Sequence, residues 1–589
     1  MKYPMLYSKD SSRQMVDTFK GYNHNLRIGD GEFFDMKNMT SDHYPVLSPR
    51  GKRGVYASPD SPTGLIAKDA LCYVDGSKFV INEYEIEMGL NDEPKQLISM
   101  GAYVIIMPDK KYINTLDHKD NGDIEAKFTS TGDVSFSLCT LDGADRDVKY
   151  TQNDEPKEEE DGTGPDNLDL WIDTSSTPHA LKQYSETSSM WVQVPTTYIK
   201  ISSPGIAEKF KQYDGVTISG IKADELQDLN ASMVIWAKDE EENGYIVVVG
   251  ILDQIITQSI DLGAIVIERK MPALDFVIES ENRLWGCRYG LANNGQVVNE
   301  IYACKLGDFK NWDCRMNIST DSYVASCGTD GQFTGAITHL GYPLFFKENC
   351  VHKVYGNYPA NFQIQTTACR GVQKGCDKSL AIVNETLFYK ARSGVCAYDG
   401  SLPTEVSYAL GNEAYGNAVG GSHGNKYYIS MQDNLGEYHL FVFDTAKGMW
   451  HKEDNLKADS FCSCRGELYA ISGGEIITML GSGTKDTEDV EWMVQTGEIG
   501  ISSPDMKYIS RLTVRMLLDI GAEVRIYAQY DFRDDWESLC TLTGVDSLRS
   551  FSLPIRPKRC DYMKLRIEGT GNAKIYSITK TIEQGSELS

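Results

Sequence analysis

Gly420-Gly421-Ser422-His423-Gly424 has the G-x-S-x-G spacing of a nucleophile elbow, which exposes a serine on a sharp strand-to-helix turn. The residues that follow, Lys426-Tyr427-Tyr428, read as a β-strand, so a turn is expected here and no nucleophile. The stretch 117–128 carries an Asn121-Gly122 turn and the outline of a calcium loop. Lys119 stands at its third position, however, and Phe128 occupies the place of a bidentate Glu, so charge is missing where a cation needs it. Cys462 and Cys464 alternate onto one strand face with no histidine nearby in sequence, which points to buried packing and not to metal binding. No P-loop, G-x-G-x-x-G or H-E-x-x-H motif occurs, so phosphoryl transfer and zinc proteolysis lack their usual signatures. Paired carboxylates in a central funnel would make a glycosidase without any linear motif. The repeated S-x-D-x-G-x-x-W boxes of sialidases are missing, and the chain is expected not to be an enzyme. No catalytic, cofactor-binding or metal-binding residue is assigned, and no cofactor.

The elements around these residues read as all-β. Tyrosine (33) and glycine (52) are plentiful, and short β-branched or aromatic runs alternate with Gly, Asn and Asp turns. The runs 71–82 and 103–114 each read as one hairpin, broken at Asp75-Gly76 and near Pro108-Asp109. From Asp275 a unit of strand, turn and strand recurs. Its aligned apolar positions, Leu284, Leu344, Leu387, Tyr427 and Leu468, follow one another after 60, 43, 40 and 41 residues. That spacing is close to the roughly 40–50 residues of a four-stranded propeller blade. The unit from Gly420-Gly421 through Asp444 to Trp450 resembles a kelch repeat, in which glycines permit close backbone approach and the tryptophan fills the gap between sheets. Trp450 and Trp312 are therefore expected to be structural. Six to eight blades are expected. Closure needs a strand from the far end of the chain, so the segments near Val55 and Ile476 are expected to be neighbours.

Between the second hairpin and Asp275 the period breaks. Asp154, Glu155, Glu158, Glu159, Glu160 and Asp161 form an acidic run that continues into Gly162 and Pro165, read as a solvated loop. Strand character returns at 191–194, 198–201, 216–218, 233–236 and 245–249, with a short helix over 206–212. Near-alternation at 523–530 and 563–568 suggests a C-terminal β-sandwich, with a hairpin turn at Gly569-Thr570-Gly571. The expected order is an N-terminal arm (1–54), first blades (55–115), an inserted β-rich domain with the acidic loop (116–270), remaining blades (271–488) and the sandwich (489–589).

The chain has 589 residues with 58 Lys and Arg against 84 Asp and Glu, a formal charge of −26 that argues against a surface for gripping nucleic-acid phosphates. Fourteen cysteines without C-x-x-C spacing read as free, buried thiols. Neither a secretory signal nor a membrane-spanning segment is read in the sequence, and synthesis in a cytoplasm is expected.

Several segments in order carry a family resemblance: Asn282-Arg283-Leu284-Trp285-Gly286, Glu300-Ile301-Tyr302-Ala303, Gly307-Asp308-Phe309-Lys310-Asn311-Trp312, Leu344-Phe345-Phe346-Lys347-Glu348, Arg370-Gly371-Val372-Gln373-Lys374-Gly375-Cys376 and Tyr398-Asp399-Gly400. Together with Asp30-Gly31-Glu32, Tyr44-Pro45 and the stretch 50–53, they resemble the β-propeller virion proteins of tailed bacteriophages, of the tail nozzle and head-stabilisation kind. The resemblance implies a structural subunit of a tail or head–tail connector at the portal vertex of the virion. It would form a ring with itself, often hexameric in this family, beside portal, adaptor, tail or fibre proteins, with DNA passing through unbound. Six copies at −26 would carry a formal −156, and a lumen of that sign would let DNA slide during ejection. The alternative is a receptor- or carbohydrate-binding tail-tip protein, in which some of the 33 tyrosines and 8 tryptophans stack on sugars.

Overall fold

The computed structural model describes residues 11–157, 164–292, 295–482, 489–501, 505–531 and 533–584. The fold is an all-β propeller with an inserted β-rich domain and a C-terminal sandwich. Among the described residues seven sets of four strands serve as blades, six of them separate sheets and the sixth in order part of a larger sheet, beginning with the strands Pro62–Lys68, Gln96–Met100, Phe276–Ser280, Gly335–His339, Ala381–Val383, Gly416–His423 and Ser460–Cys464. The chain divides into two compact units. One comprises residues up to Leu97 with 332–353 and everything from Thr366; the other comprises 98–331 with 354–365.

The five aligned positions of the repeat all fall on the second strand of a blade, and all five are 0% exposed. A second strand has neighbours on both edges and both faces, so it is where burial is most complete and where the sequence period is clearest. The interval of 60 residues has a specific cause. Blade 3 makes an excursion between its strands Val297–Ala303 and Tyr323–Ser326. The buried Arg283 guanidinium holds that excursion, donating to the carbonyls of Cys304 (2.7 Å), Asp321 (2.6 Å) and Ser319 (2.9 Å). Phe309 and Trp312 of the same excursion enter a core with Ile105, Tyr112 and Leu284.

In the first unit, the last blade is completed by the N-terminal strand Gly54–Ala57, which pairs Val55 with Ile477 and Ala57 with Ile476. The expected neighbours therefore meet. Gly421 lies where an added Cβ would stand 2.4 Å from Cβ of Phe461 on the next blade, so the first strands pack too closely for any side chain there. Trp450 is 2% exposed, tilted on Phe443 at 4.9 Å, and donates to the Val406 carbonyl at 2.8 Å. Its role is to pack.

The C-terminal sandwich has two sheets, and the arm supplies a strand to each. Ser11–Val16 pairs with Ala573–Gln584, and Glu32–Lys37 pairs with Glu491–Thr496. Gly21–Tyr22 links the second of these sheets to the outer strand of blade 6, Met449–Lys452, making ten strands in one sheet. Burial alternates strictly along Glu523–Tyr530 and Met563–Thr570, as their sequences require. The turn around Gly571 does not close a hairpin. Met563–Thr570 and Ala573–Gln584 belong to different sheets, and the chain crosses between them where Trp492 Nε1 donates to the Gly571 carbonyl at 3.0 Å.

The inserted domain of the second unit packs two sheets around Phe136, Ile201, Phe210, Ile218, Ile246 and Ile267. Residues 206–212 are turns, not a helix. Ile206 N donates to Ser203 and Phe210 N to Ala207, and the apolar side chains of this segment plug the core. A 3-10 helix occurs instead at Asp224–Leu229. Blade 2 reaches further than expected, to its fourth strand Asn121–Asp123, so Asn121-Gly122 is strand and not turn. Of the acidic run, Asp154 and Glu155 are exposed, while residues 158–161, like Gly162, lie outside the described residues. Among the described residues no helix is long and apolar enough to cross a membrane.

Candidate functional site

A third sheet of the inserted domain joins Tyr150–Gln152, Leu170–Asp173, Ala180–Ser185 and Met190–Gln193. Its register sorts the side chains. Trp171 lies opposite Lys182, Tyr184 opposite Trp191, and Tyr150 beside Trp171 in a parallel pair. Since successive residues of a strand point to opposite faces, one face collects Tyr150, Trp171, Lys182, Tyr184 and Trp191. The other carries Leu170, Ile172 and Leu181 into a core with Leu138. Trp171 at the centre of the aromatic face is buried, while Tyr150, Tyr184 and Trp191 around it are half-buried.

The rings are mutually braced. Trp191 sits 5.5 Å from Trp171, 5.3 Å from Tyr184 and 5.9 Å from Tyr150, all in tilted or edge-on contacts. Lys182 lies 4.5 Å from the Trp171 ring centre and 2.8 Å from Asp173 Oδ2. Hydrogen bonds from Lys182 and Ser175 hold the Asp173 carboxyl down to about 2. The indole N–H groups are anchored to backbone, Trp171 to Gln152 O at 2.9 Å and Trp191 to Pro156 O at 3.1 Å. Trp191 and Tyr184 are half-buried and line a groove of about 430 Å³ together with Glu155, Asp166, Asn167 and Glu186. Flat rings fixed in orientation, beside carboxylate and amide acceptors, offer a surface for a polyhydroxylated ring with C–H groups on one side and hydroxyls at its rim.

Of this sheet the sequence reading found only the strand at 191–194, because the neighbouring acidic run dominates the composition. The alternation of Leu170-Trp171-Ile172-Asp173 and of Leu181-Lys182-Gln183-Tyr184 was the available signal. The other sequence candidates disperse. Ser422 lies in the strand Gly416–His423, so no elbow forms. His423 faces Ser463 at 3.2 Å. Cys464 is buried and Cys462 half-buried, both in the core between blades 7 and 1, where burial pushes the Cys462 thiol up to about 12. Asp120 of the loop read against calcium accepts from Tyr103 Oη at 2.7 Å and from Asn114 Nδ2 at 3.3 Å. Among the described residues no group of three or more His, Cys, Asp or Glu is placed to hold a metal ion. Among the first strands of the blades, Glu279 is the one carboxylate, and it accepts the Asn282 N–H at 2.8 Å. Five of the eight tryptophans are buried.

No family model and no curated protein matches the chain. Solved structures match in fold. An exo-β-1,3-galactanase from Phanerochaete chrysosporium is 8% identical with a TM-score of 0.20, over 52% of this chain and 94% of that one. A sialidase from Trypanosoma rangeli is 8% identical with a TM-score of 0.19, over 97% and 95%. An acylaminoacyl peptidase from Pyrococcus horikoshii is 9% identical with a TM-score of 0.23, over 54% and 55%. The expectation that the chain is not an enzyme is withdrawn: these solved structures are enzymes, a galactanase, a sialidase and a peptidase.

Proposed function

We propose that this chain is a β-propeller protein of a tailed-bacteriophage particle, placed at the tail tip, that binds saccharide through the inserted domain. The observation that carries the binding reading is the pair Tyr184 and Trp191, which line a groove of about 430 Å³ and are braced from behind by Tyr150 and the buried Trp171. A preformed aromatic surface loses little side-chain freedom on binding, so its contact area is retained as affinity. The virion placement rests on the sequence resemblance, whose segments fall on blades 3 to 5 and on the arm that joins blade and sandwich. The connector reading, a ring around the DNA exit channel, draws on the same resemblance and on the −26 charge.

Two measurements test these readings. On a glycan array that includes host-surface polysaccharides, the intact protein binds, and Trp191→Ala and Tyr184→Ala each weaken binding by about tenfold, as expected for a stacking contact of ~1.4 kcal/mol. Absence of saccharide binding by the intact, folded protein overturns the carbohydrate reading. Native mass gives the assembly: a hexamer supports the connector ring, and a monomer removes it.

A further inference from the structure

A second concave site lies in the same unit and shares no lining residue with the aromatic groove. It has a volume of about 650 Å³ and is lined from blade 2, the excursion of blade 3 and the strands Ala126–Thr129 and Val266–Arg269. Six of its side chains are cationic and four are carboxylates, in a chain where acids outnumber bases by 84 to 58. Several charges are already matched. Lys110 meets Glu125 at 2.7 Å, and Arg269 is committed to Asp214 at 2.5 Å and to the Ile124 carbonyl. Lys127 and Lys270 share one carboxylate, Glu268. Lys310 rests its ammonium 3.9 Å from the centre of the Tyr112 ring, half-buried, and Lys209 is exposed at the rim. Burial and the adjacent Arg269 hold the Lys310 ammonium below the ordinary lysine range, so its charge is incompletely compensated.

We infer that this pocket is a binding site for a small anion bearing more than one phosphate group, held by Lys209, Lys310, Lys127 and Lys270. Ammonium groups act as point charges toward phosphate oxygens and do not demand a bidentate geometry. The cations line a concave pocket in a chain of net charge −26, which distinguishes the site from a surface for extended nucleic acid. The volume falls within the range of small-molecule sites, roughly 300–1,000 Å³. The Tyr112 ring positions the Lys310 ammonium by its face, and both residues line the pocket.

Isothermal titration of the full chain with pyrophosphate at low ionic strength tests the site. One molecule is expected to bind, with about tenfold weaker binding in Lys209→Gln and in Lys310→Met, corresponding to one lost charge contact each. Glu268→Gln removes the shared carboxylate and is expected to tighten binding several-fold, an outcome that partial unfolding does not produce. Trp191→Ala is expected to leave pyrophosphate binding unchanged, which separates this site from the aromatic groove. No binding by the folded wild type, or equal binding by wild type, Lys209→Gln and Lys310→Met, overturns the inference.

Discussion

Arg53 offers the sharpest test of how the arm is held. Its guanidinium bridges Glu453 at 2.6 Å and Asp454 at 2.7 Å, with 11% of the arginine side chain and 7% of the Glu453 side chain exposed. Arg50 stands behind it, 3.6 Å from Glu453 and 3.2 Å from Asp454. Burial alone would push the Asp454 carboxyl up, but Arg53 and Arg50 outweigh it and hold the group below its ordinary range. Removing one partner of a buried pair typically costs ~3–5 kcal/mol, because the remaining charge stays desolvated. Here Arg50 retains part of the compensation, which places Arg53→Ala near the lower end, ~3 kcal/mol. With a urea m-value of ~3 kcal/mol/M, the unfolding midpoint drops by ~1 M. Arg53→Lys keeps the charge and loses the fork, so an intermediate loss is expected. Hydrogen exchange should quicken in the strand Gly54–Ala57, which the arginine directly precedes. A midpoint for Arg53→Ala within ~0.2 M of wild type would refute the view that these ion pairs fasten the arm.

Two further outcomes follow from buried groups of the first unit. His352 and His451 are held down to about 4 from 6.5, chiefly by burial, with Lys347 and Lys426 respectively adding repulsion. A folded pKa below the unfolded one means that the unfolded chain takes up protons first, so this contribution is complete above pH 6.5 and is lost as pH falls toward 4. At pH 5 each histidine accounts for ~2 kcal/mol. Urea midpoints compared at pH 7 and pH 5 check this, and equal midpoints refute it. Trp450→Ala removes a fully packed ring and its hydrogen bond to Val406. A loss of ~3–5 kcal/mol is expected by urea unfolding, and a loss under ~1 kcal/mol would mean the blade repacks around the gap.

The propeller was legible where burial is two-sided. Leu284, Leu344, Leu387, Tyr427 and Leu468 sit on second strands, and no polar residue is tolerated at those points, so the period survives in the sequence. The 2.0 alternation of the sandwich was legible for the complementary reason, one face wet and one dry. What escaped was pairing between distant segments. Ser11–Val16 is almost wholly exposed on its own account and becomes a strand only by hydrogen bonding to Ala573–Gln584, a partner no local pattern reveals. The misread helix at 206–212 shows the opposite failure. Ile206, Ala207 and Phe210 have helical spacing, but Pro204-Gly205 precedes them and tertiary burial fixes the segment as successive turns. The first three strands of the aromatic sheet were missed because they are only three to six residues long and lie against an acidic run.

The arm also changes what its own loss would look like. Blade 7 exposes the edge of Glu475–Thr478 unless Gly54–Ala57 covers it, and the sandwich exposes the edges of Glu491–Thr496 and Ala573–Gln584 unless the earlier arm strands do. Unpaired edges of this kind are templates for pairing with another chain. One continuous segment therefore protects three edges, and the Arg50 and Arg53 ion pairs sit between its strands Glu32–Lys37 and Gly54–Ala57. Loosening the arm at that point frees the blade edge without freeing the sandwich, because Glu32–Lys37 and Gly21–Tyr22 still hold in their sheet. Weakening it at Ser11–Val16 uncovers a sandwich edge while blade 7 stays closed. The two perturbations are thus separable by where exchange protection is lost, and both lead to association between chains before global unfolding.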